Sequence, residues 1–270
     1  MSGETHRTSV LVCRLFGPFA SWGEVAVGEV RPSAARPTRS ALLGLLAAAL
    51  GLRREDDDAH AALAAGVRLG VRVDAPGQPL VDYHTANYRR PKRRELILTR
   101  ADELRVPRSE LQTVQSRRHY RCDALLSIAV LATPAARWSL DHLRVALERP
   151  VFPLSLGRKA CVPALPLAPE LLRAGNLAEA FALYDERRPV PAELRRLSRR
   201  AGAVELAWDE DLGLEPGLPH GATELIERRD EPLSRRRWRF ALRREAVGHL
   251  QLGQSPRKED GDVPEPTHDG

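Results

Sequence analysis

The pattern of apolar positions divides the first seventy residues into two short strands with two helices between them. Residues 8–15 are mostly β-branched or aliphatic and run into Phe16-Gly17-Pro18, which predicts a buried strand followed by a loop. Residues 38–50 are apolar around nearly the whole circumference, with Pro37 before them and Gly51 after them, so they predict a buried helix. A short helix over 59–65 and an alternating strand over 67–73 follow.

The next eighty residues predict an insertion and then a second strand–helix–strand unit. Hydrophobic periodicity fades from Asp74 to about Arg121, while Pro, Arg and Tyr accumulate. Residues 124–132 predict an apolar strand, Ser139 is placed to cap a helix ending near Glu148, and residues 151–156 predict a returning strand. The order β-α-β, insertion, β-α-β is that of a ferredoxin-like, RRM-type domain, whose sheet is a frequent platform for RNA.

The remainder of the chain predicts a smaller C-terminal region. A Pro-rich loop follows Cys161, residues 170–183 predict a helix, and residues 235–242 alternate Trp, Phe and Leu with Arg and Ala as in a strand. The fold class is therefore α+β. An RRM-like domain spans 1–160 with its insertion at about 76–121, a small region spans 161–250, and the polar segment 251–270 is expected to be disordered.

Composition indicates a packed, cytoplasmic protein. The chain has 270 residues, of which 43% are hydrophobic, which is ordinary for a globular protein. The longest apolar run, residues 41–50, is too short to span a bilayer, and the N-terminus has no apolar signal-peptide centre. Because Cys13, Cys122 and Cys161 lie far apart, we expect buried packing from them and neither a disulfide framework nor a metal site.

Positive charge is concentrated in the insertion. Residues 82–121 contain eleven Lys or Arg against five Asp or Glu, and this excess equals the whole formal charge of +6. Such a concentration supplies the cations that neutralise phosphates in nucleic-acid binding. The alternative is a solvated surface, because charge runs often have no partner.

Two short motifs are candidate anion sites. Pro37-Thr38-Arg39-Ser40 places free backbone N–H groups, two hydroxyls and a guanidinium at the positive end of a helix. Ordinary capping by Thr38 or Ser40 is the alternative. Leu156-Gly157-Arg158-Lys159 offers a glycine-backed loop with two cations.

The segment Arg89-Arg90-Pro91-Lys92-Arg93-Arg94 has five cations in six residues and lies near several rings. Cations that neutralise phosphates, beside rings that stack on unpaired bases, suit single-stranded RNA. The alternative is an exposed, mobile loop. The neighbouring rings are those of Tyr83, His84, Tyr88, His119 and Tyr120.

Motifs for a nucleophilic, nucleotide-dependent or metal-dependent enzyme are missing from the sequence, which contains no Gly-x-Ser-x-Gly, P-loop, His-Glu-x-x-His or paired Cys motif. We therefore expect no catalytic residues, no metal and no cofactor. Metal-free RNA cleavage stays open, because the basic segment carries acid–base side chains: Tyr83, His84, Lys92, His119 and Tyr120.

Taken in order, these segments resemble the CasD family of subunits of the type I-E CRISPR Cascade complex. The resemblance spans roughly residues 8–245 and is carried by Arg14-Leu15-Phe16-Gly17-Pro18, Ser21-Trp22-Gly23, Pro37-Thr38-Arg39-Ser40, Leu42-Leu43-Gly44-Leu45-Leu46, Leu50-Gly51, Asp82-Tyr83-His84-Thr85, Tyr120-Arg121-Cys122-Asp123-Ala124 and Leu156-Gly157-Arg158-Lys159 with Cys161. The segment 89–109 departs from the family in length or composition.

The resemblance implies a modified RRM domain with a protruding β-hairpin thumb, and a place at one end of a hetero-oligomer. There the subunit would hold the 5′ handle of the CRISPR RNA, contact the first backbone subunit and lie near the large PAM-reading subunit. In type I-E systems another subunit cuts the precursor RNA, so this one is expected to bind and not to cleave. In type I-C relatives the counterpart is a metal-independent endoribonuclease.

Sequence motifs and resemblance together give a set of candidate RNA-binding residues. A purely structural role, in which the positive charge serves an acidic neighbouring protein, is the remaining alternative. The candidate set is Trp22, Arg36, Thr38, Arg39, Ser40, Tyr83, His84, Arg117, Arg118, Gly157, Arg158 and Lys159.

Overall fold

A computed structural model describes residues 7–91, 95–198, 203–219 and 222–251. The strands are β1 (Thr8–Ala20), β2 (Trp22–Gly23), β3 (Val30–Arg31), β4 (Ser33–Ala34), β5 (Val67–Ala75), β6 (Gln78–Arg89), β7 (Leu111–Ala132), β8 (Glu170–Ala174), β9 (Ala203–Asp209), β10 (Thr223–Ser234) and β11 (Arg239–Gln251). The helices are α1 (Arg39–Leu50), α2 (Asp57–Gly66), α3 (Arg100–Leu104), α4 (Leu140–Glu148), α5 (Leu177–Arg187) and α6 (Arg195–Ser198), with 3₁₀ turns at Arg108–Glu110 and Ala192–Leu194.

Local signals account for the ends of the two helices on the first face of the sheet. The Thr38 side chain accepts a hydrogen bond from the Ala41 N–H, and Gly51 ends α1 in the left-handed conformation with φ 76°. Ser139 caps α4 through the His142 N–H. Both helices therefore begin and end close to where the sequence predicts.

The strands form one large, mainly antiparallel sheet in the order β10-β11-β9-β5-β7-β1-β8. β7 has two roles. Its C-terminal half lies between β1 and β5, whereas its N-terminal half pairs with β6 as a hairpin and, over two residues, with β3 in parallel. The hairpin leaves the sheet next to Asp123, which has φ 57°, and Gly77, where a side chain would collide with the Cys122 carbonyl oxygen. The described part of the insertion is thus built on this hairpin, which we call the hairpin arm.

Both faces of the sheet are covered. On the first face, α1, α2 and α4 bury the inward side chains of β1, β5 and β7. On the opposite face, α5 packs Leu177, Phe181 and Tyr184 against β1, β7 and β9. The molecule is therefore a mixed α/β structure with two hydrophobic cores on either side of one sheet.

Three predicted elements are corrected by the structure. The first strand does not stop at Leu15 but runs on to Ala20, paired with β7. Residues 151–156 form no strand: Pro153 lacks an N–H, and the N–H groups of Val151 and Phe152 bond the last carbonyls of α1. The predicted helix 170–183 begins only at Leu177, because residues 170–174 form β8 on the free edge of β1.

The C-terminal region adds strands to the same sheet. β8 pairs with β1, and β9 pairs with β5. The predicted strand 235–242 is in part the turn before β11. The domain boundary at about residue 160 stays a prediction, and the expected disorder of the tail falls, beyond Gln251, outside the described residues.

Candidate nucleic-acid interface

A groove with a cavity volume of about 920 Å³ opens where four distant parts of the chain meet. One wall is α1 with its capping residue Thr38, and another is the loop of residues 157–159. The segment after β1 and the turn between β10 and β11 complete the lining. Two motifs that the sequence singled out separately, the start of α1 and the glycine loop, therefore lie at one site.

Gly157 allows the glycine loop to lie against the segment after β1. Its φ is 91°, and a Cβ there would overlap the carbonyl oxygen of Ser21. The Ser21 N–H donates to the Leu156 carbonyl at 2.9 Å. This close approach fixes the position of the two cations that follow Gly157.

Arg158 and Lys159 are available to a phosphate ligand. The Arg158 guanidinium lies 4.7 Å from the centre of the Tyr120 ring and donates to the backbone carbonyls of His119 and Arg31. Lys159 is exposed. Within the described part of the chain, neither is paired with a carboxylate, so both cations add positive potential to the groove.

The start of α1 is already occupied by a protein carboxylate. The Arg39 N–H donates to Asp230 Oδ2 at 2.8 Å, and Thr38 caps the Ala41 N–H. Two N–H groups of the first turn, those of Arg39 and Ala41, are therefore satisfied internally, which narrows the anion site predicted at this helix end. Ser40 and the Thr38 hydroxyl still line the groove.

Three candidate RNA-binding residues do not line the groove and have little free surface. Trp22 is 1% exposed and belongs to the first core. Arg39 is 5% exposed, forms ion pairs with Asp209 and Glu231, and donates to the Ala64 and Val67 carbonyls. The guanidinium of Arg36 donates to the carboxylates of Glu205 at 2.8 Å and Glu245 at 2.5 Å.

Arg36 and Arg39 belong to a buried charge cluster that joins α1 to the C-terminal strands. Burial opposes ionisation of Glu245, but Arg228, Arg36 and Arg243 together hold its pKa below the ordinary value. Burial likewise acts to lower the pKa of Arg243, and the facing carboxylates outweigh it, so that pKa is raised. The cluster comprises Arg36, Arg39, Arg228, Arg243, Glu205, Asp209, Asp230, Glu231 and Glu245.

The hairpin arm divides its candidate residues between its two faces. Tyr83 lies directly opposite Arg117, and His84 lies opposite Ser116. Because side chains alternate along a strand, Tyr83, Arg117 and His119 share one face, whereas His84 and Arg118 point to the other. Tyr83 is 59% exposed and Arg117 is also exposed. Lys92 lies outside the described residues.

Sequence reasoning missed the contribution of the turn between β10 and β11. Arg229, Arg235, Trp238, Arg239 and Phe240 all line the groove. The alternation of aromatic and basic residues at 237–240 is visible in the sequence, but it indicates only a strand. Its position against α1 depends on the pairing of β11 with β9, which no local pattern reveals.

The described residues show neither a candidate metal-binding cluster nor a helix that could span a membrane. Residues 7–91, 95–198, 203–219 and 222–251 contain no group of three or more His, Cys, Asp or Glu side chains placed to hold a metal ion. No helix in this part of the chain has the length and apolar character needed to cross a membrane.

Comparison with known proteins gives concordant matches in sequence and structure. The chain is 33% identical over 185 residues to the CRISPR system Cascade subunit CasD of Escherichia coli (strain K12), an alignment covering 66% of this chain and 77% of that protein. A solved chain of a CRISPR RNA-guided surveillance complex superposes with a TM-score of 0.59 and 30% identity, covering 89% of each chain. The crystal structure of a Cas protein superposes with a TM-score of 0.54 and 27% identity, covering 90% of this chain and 95% of that one.

A family model gives the broadest sequence match. It describes a CRISPR-associated protein (Cas_Cas5) and matches residues 10–245. This range includes most of β1, the four helices that pack on the sheet (α1, α2, α4 and α5), the hairpin arm and most of the C-terminal strands. The resemblance inferred from the motifs is thereby confirmed, and the chain belongs to the Cas5 family of CRISPR-associated proteins.

Proposed function

We propose that this chain is the RNA-binding subunit of a type I-E CRISPR surveillance complex that holds the 5′ handle of the guide RNA and takes part in antiviral defence. The observation that carries the proposal is the groove, in which Arg158 and Lys159 stand without carboxylate partners among the described residues. The similarity to a protein named as a Cascade subunit supports it.

The strand order supports a ferredoxin-like core within the large sheet. β8, β1, β7 and β5 are neighbours in that order, and α1 and α4 contact each other on the same face. This is the arrangement expected when two β-α-β units interlock. We assign the β6–β7 hairpin as the thumb, which would insert between the handle and the spacer part of the guide.

The position of α5 argues for RNA binding in the groove and against binding on the sheet face. RRM domains bind RNA on the open face of the sheet through exposed aromatic residues. In this chain Phe181 and Tyr184 of α5 cover that face, and both are fully buried. Phosphates and bases therefore have access to the groove on the helix side, where the unpaired cations lie.

The proposed partners are a backbone subunit and the large PAM-reading subunit in a cytoplasmic hetero-oligomer. The hairpin arm supports extensive contacts with other molecules, because it exposes several large apolar side chains. Leu80, Val81, Leu96, Leu98 and Val114 are each at least 41% exposed. Exposed apolar groups on a projecting arm favour burial in an assembly.

We further propose that the subunit binds RNA without cleaving it. The acid–base side chains of the hairpin arm are split between its faces, with Tyr83 and His119 on one face and His84 on the other. This split removes His84 from any concerted site with Tyr83 and leaves Tyr83 and His119 as the acid–base pair that cleavage would need, so His119 is the residue to change in the test below.

Incubation of the purified full-length protein with a labelled CRISPR repeat RNA in EDTA tests both proposals in one tube. Retention of intact RNA is the expected result. Specific cut products that disappear in the His119→Ala variant would assign the chain to the processing endoribonucleases. A folded preparation that retains no RNA would contradict the RNA-binding function and favour a purely structural subunit.

A further inference from the structure

Trp238 is an exposed aromatic side chain held at the edge of the groove. It is 60% exposed, whereas Trp22 and Trp208 are buried. Its backbone has φ 54°, a left-handed conformation that is uncommon for a bulky residue. Strained backbone of this kind concentrates at ligand sites, because the surrounding structure must maintain it.

Neighbouring side chains orient the Trp238 ring. Phe240 meets it edge-on, with ring centres 5.5 Å apart and planes at 86°. The Arg54 guanidinium lies 5.0 Å from its centre, and Arg54 Nε donates to the Arg235 carbonyl at 3.0 Å. The exposed fraction is too large for a ring that is covered on both faces. One face therefore packs on Arg54 while much of the ring stays open to a ligand.

Arg235 places a guanidinium against α1 in the same turn. It packs on Gly44, where an added Cβ would lie 3.1 Å from both terminal nitrogens, and it donates to the Ser40 carbonyl. Burial and repulsion by Arg54 both lower the pKa of Arg235. No carboxylate within the described part of the chain pairs with it. A phosphate beside this guanidinium would offset both the desolvation and the repulsion.

Other arginines of the β10–β11 hairpin form ion pairs with carboxylates. Arg228 and Arg243 each contact carboxylates of the buried charge cluster. Arg235 instead faces the groove, together with Arg229 and Arg239. Glu24 and Asp230 also line the groove, but no ion pair joins either of them to Arg235 within the described part of the chain.

We propose that Arg54, Arg235 and Trp238 form a nucleotide subsite, in which the guanidinium of Arg235 binds an RNA phosphate and the open face of Trp238 stacks on an unpaired base. The subsite rests on the proposed RNA-binding function and adds to it a contact outside the sequence motifs. Base stacking on an aromatic ring tolerates any base, so the subsite anchors a nucleotide without reading its identity.

Titration of the full-length protein with CRISPR repeat RNA, followed by tryptophan fluorescence and filter binding, tests the subsite. We expect quenching of Trp238 on binding, and a loss of affinity of about tenfold or more for Trp238→Leu with an unchanged salt slope, because the ring carries no charge. Trp238→Phe keeps a stacking surface and serves as the matched control. Adenosine monophosphate alone should quench only weakly, since it lacks the contacts of the remaining chain.

Gly44→Ala provides an independent variant for the phosphate half of the subsite. Alanine is the better helix former, so folding should be retained, while its methyl group forces the Arg235 guanidinium to shift by a few tenths of an ångström. We expect weaker RNA binding and a salt slope reduced by less than about 0.7, the value for one fully lost phosphate contact on a single strand.

The outcomes separate the subsite from the proposed function. Wild-type affinity in both Trp238→Leu and Gly44→Ala, with affinity lost when Arg158 and Lys159 are changed to Ala, overturns the subsite and leaves the RNA-binding function standing. Absence of RNA binding by the wild-type protein overturns both. Weakened binding in Trp238→Leu and Gly44→Ala, with normal melting temperatures, supports the subsite.

Discussion

The buried charge cluster and the groove wall use arginine in opposite ways, although they share the β10–β11 hairpin. In the cluster, Arg228 and Arg243 are surrounded by Asp209, Asp230 and Glu245. At the groove, no acidic partner within the described residues pairs with Arg229, Arg235 or Arg239. Charge alone therefore does not identify a binding residue.

The two regions differ in what removal of a charge should do. A guanidinium inside an ion-pair cluster holds strands and helices together, and its loss leaves buried carboxylates without compensation. A guanidinium at the groove has no carboxylate that its loss would leave buried and uncompensated, so its removal should cost less stability. Stability and RNA affinity should therefore respond to different sets of arginines.

The largest expected effect is on stability, from Arg39→Ala. This change leaves Asp209 and Glu231 without their shared partner and removes two hydrogen bonds to carbonyls. We expect the free energy of unfolding to fall by about 3–5 kcal/mol in chemical denaturation. Arg229→Ala is the matched control, for which we expect a change within about 0.5 kcal/mol.

The Arg39→Ala variant tests whether the buried cluster and the groove wall use arginine for different purposes. A variant Arg39→Ala with wild-type stability and reduced RNA affinity would return Arg39 to the RNA-binding set that the sequence suggested. It would also show that the ion pairs with Asp209 and Glu231 are not what holds this residue in place.

A smaller effect, on RNA affinity, is expected from the double change of Arg158 and Lys159 to Ala. Loss of two phosphate contacts should weaken binding and reduce the slope of log affinity against log salt concentration by about 1.4. Filter binding across a salt series measures it. Lys159→Ala alone should give half the change in slope without loss of stability, because Lys159 is exposed.

An unchanged slope in the double variant would contradict the assignment of the glycine loop to phosphate binding. The cations that bind phosphate would then be Arg229, Arg235 and Arg239, in and beside the turn between β10 and β11.

Elements with local signals were predictable, and elements defined by distant pairing were not. Thr38 and Gly51 predict α1 because capping involves only neighbouring residues. β8 was predicted as helix because Leu171, Leu172 and Ala174 suit either structure, and only the free edge of β1 makes a strand favourable there. The local sequence of residues 170–174 contains no information about the free edge of β1.

The candidate site residues show the same difference between local signals and distant pairing. Gly157, Arg158 and Lys159 lie in a short motif and are found at the groove, as are Thr38 and Ser40. Arg36 and Arg39 look equally suitable in sequence, but their acidic partners lie about 170 to 210 residues away along the chain. The contribution of Trp238 and Arg235 was missed because α1 and the β10–β11 turn meet only in the folded chain.

The most direct test of the account is photo-crosslinking of 4-thiouridine-substituted CRISPR repeat RNA to the full-length protein, with the crosslinked peptides identified by mass spectrometry. If RNA binds in the groove, we expect crosslinks to peptides that contain residues 157–159 and 235–240, because both segments contribute to its lining. Crosslinks confined to α5, or to a surface away from both segments, would contradict it.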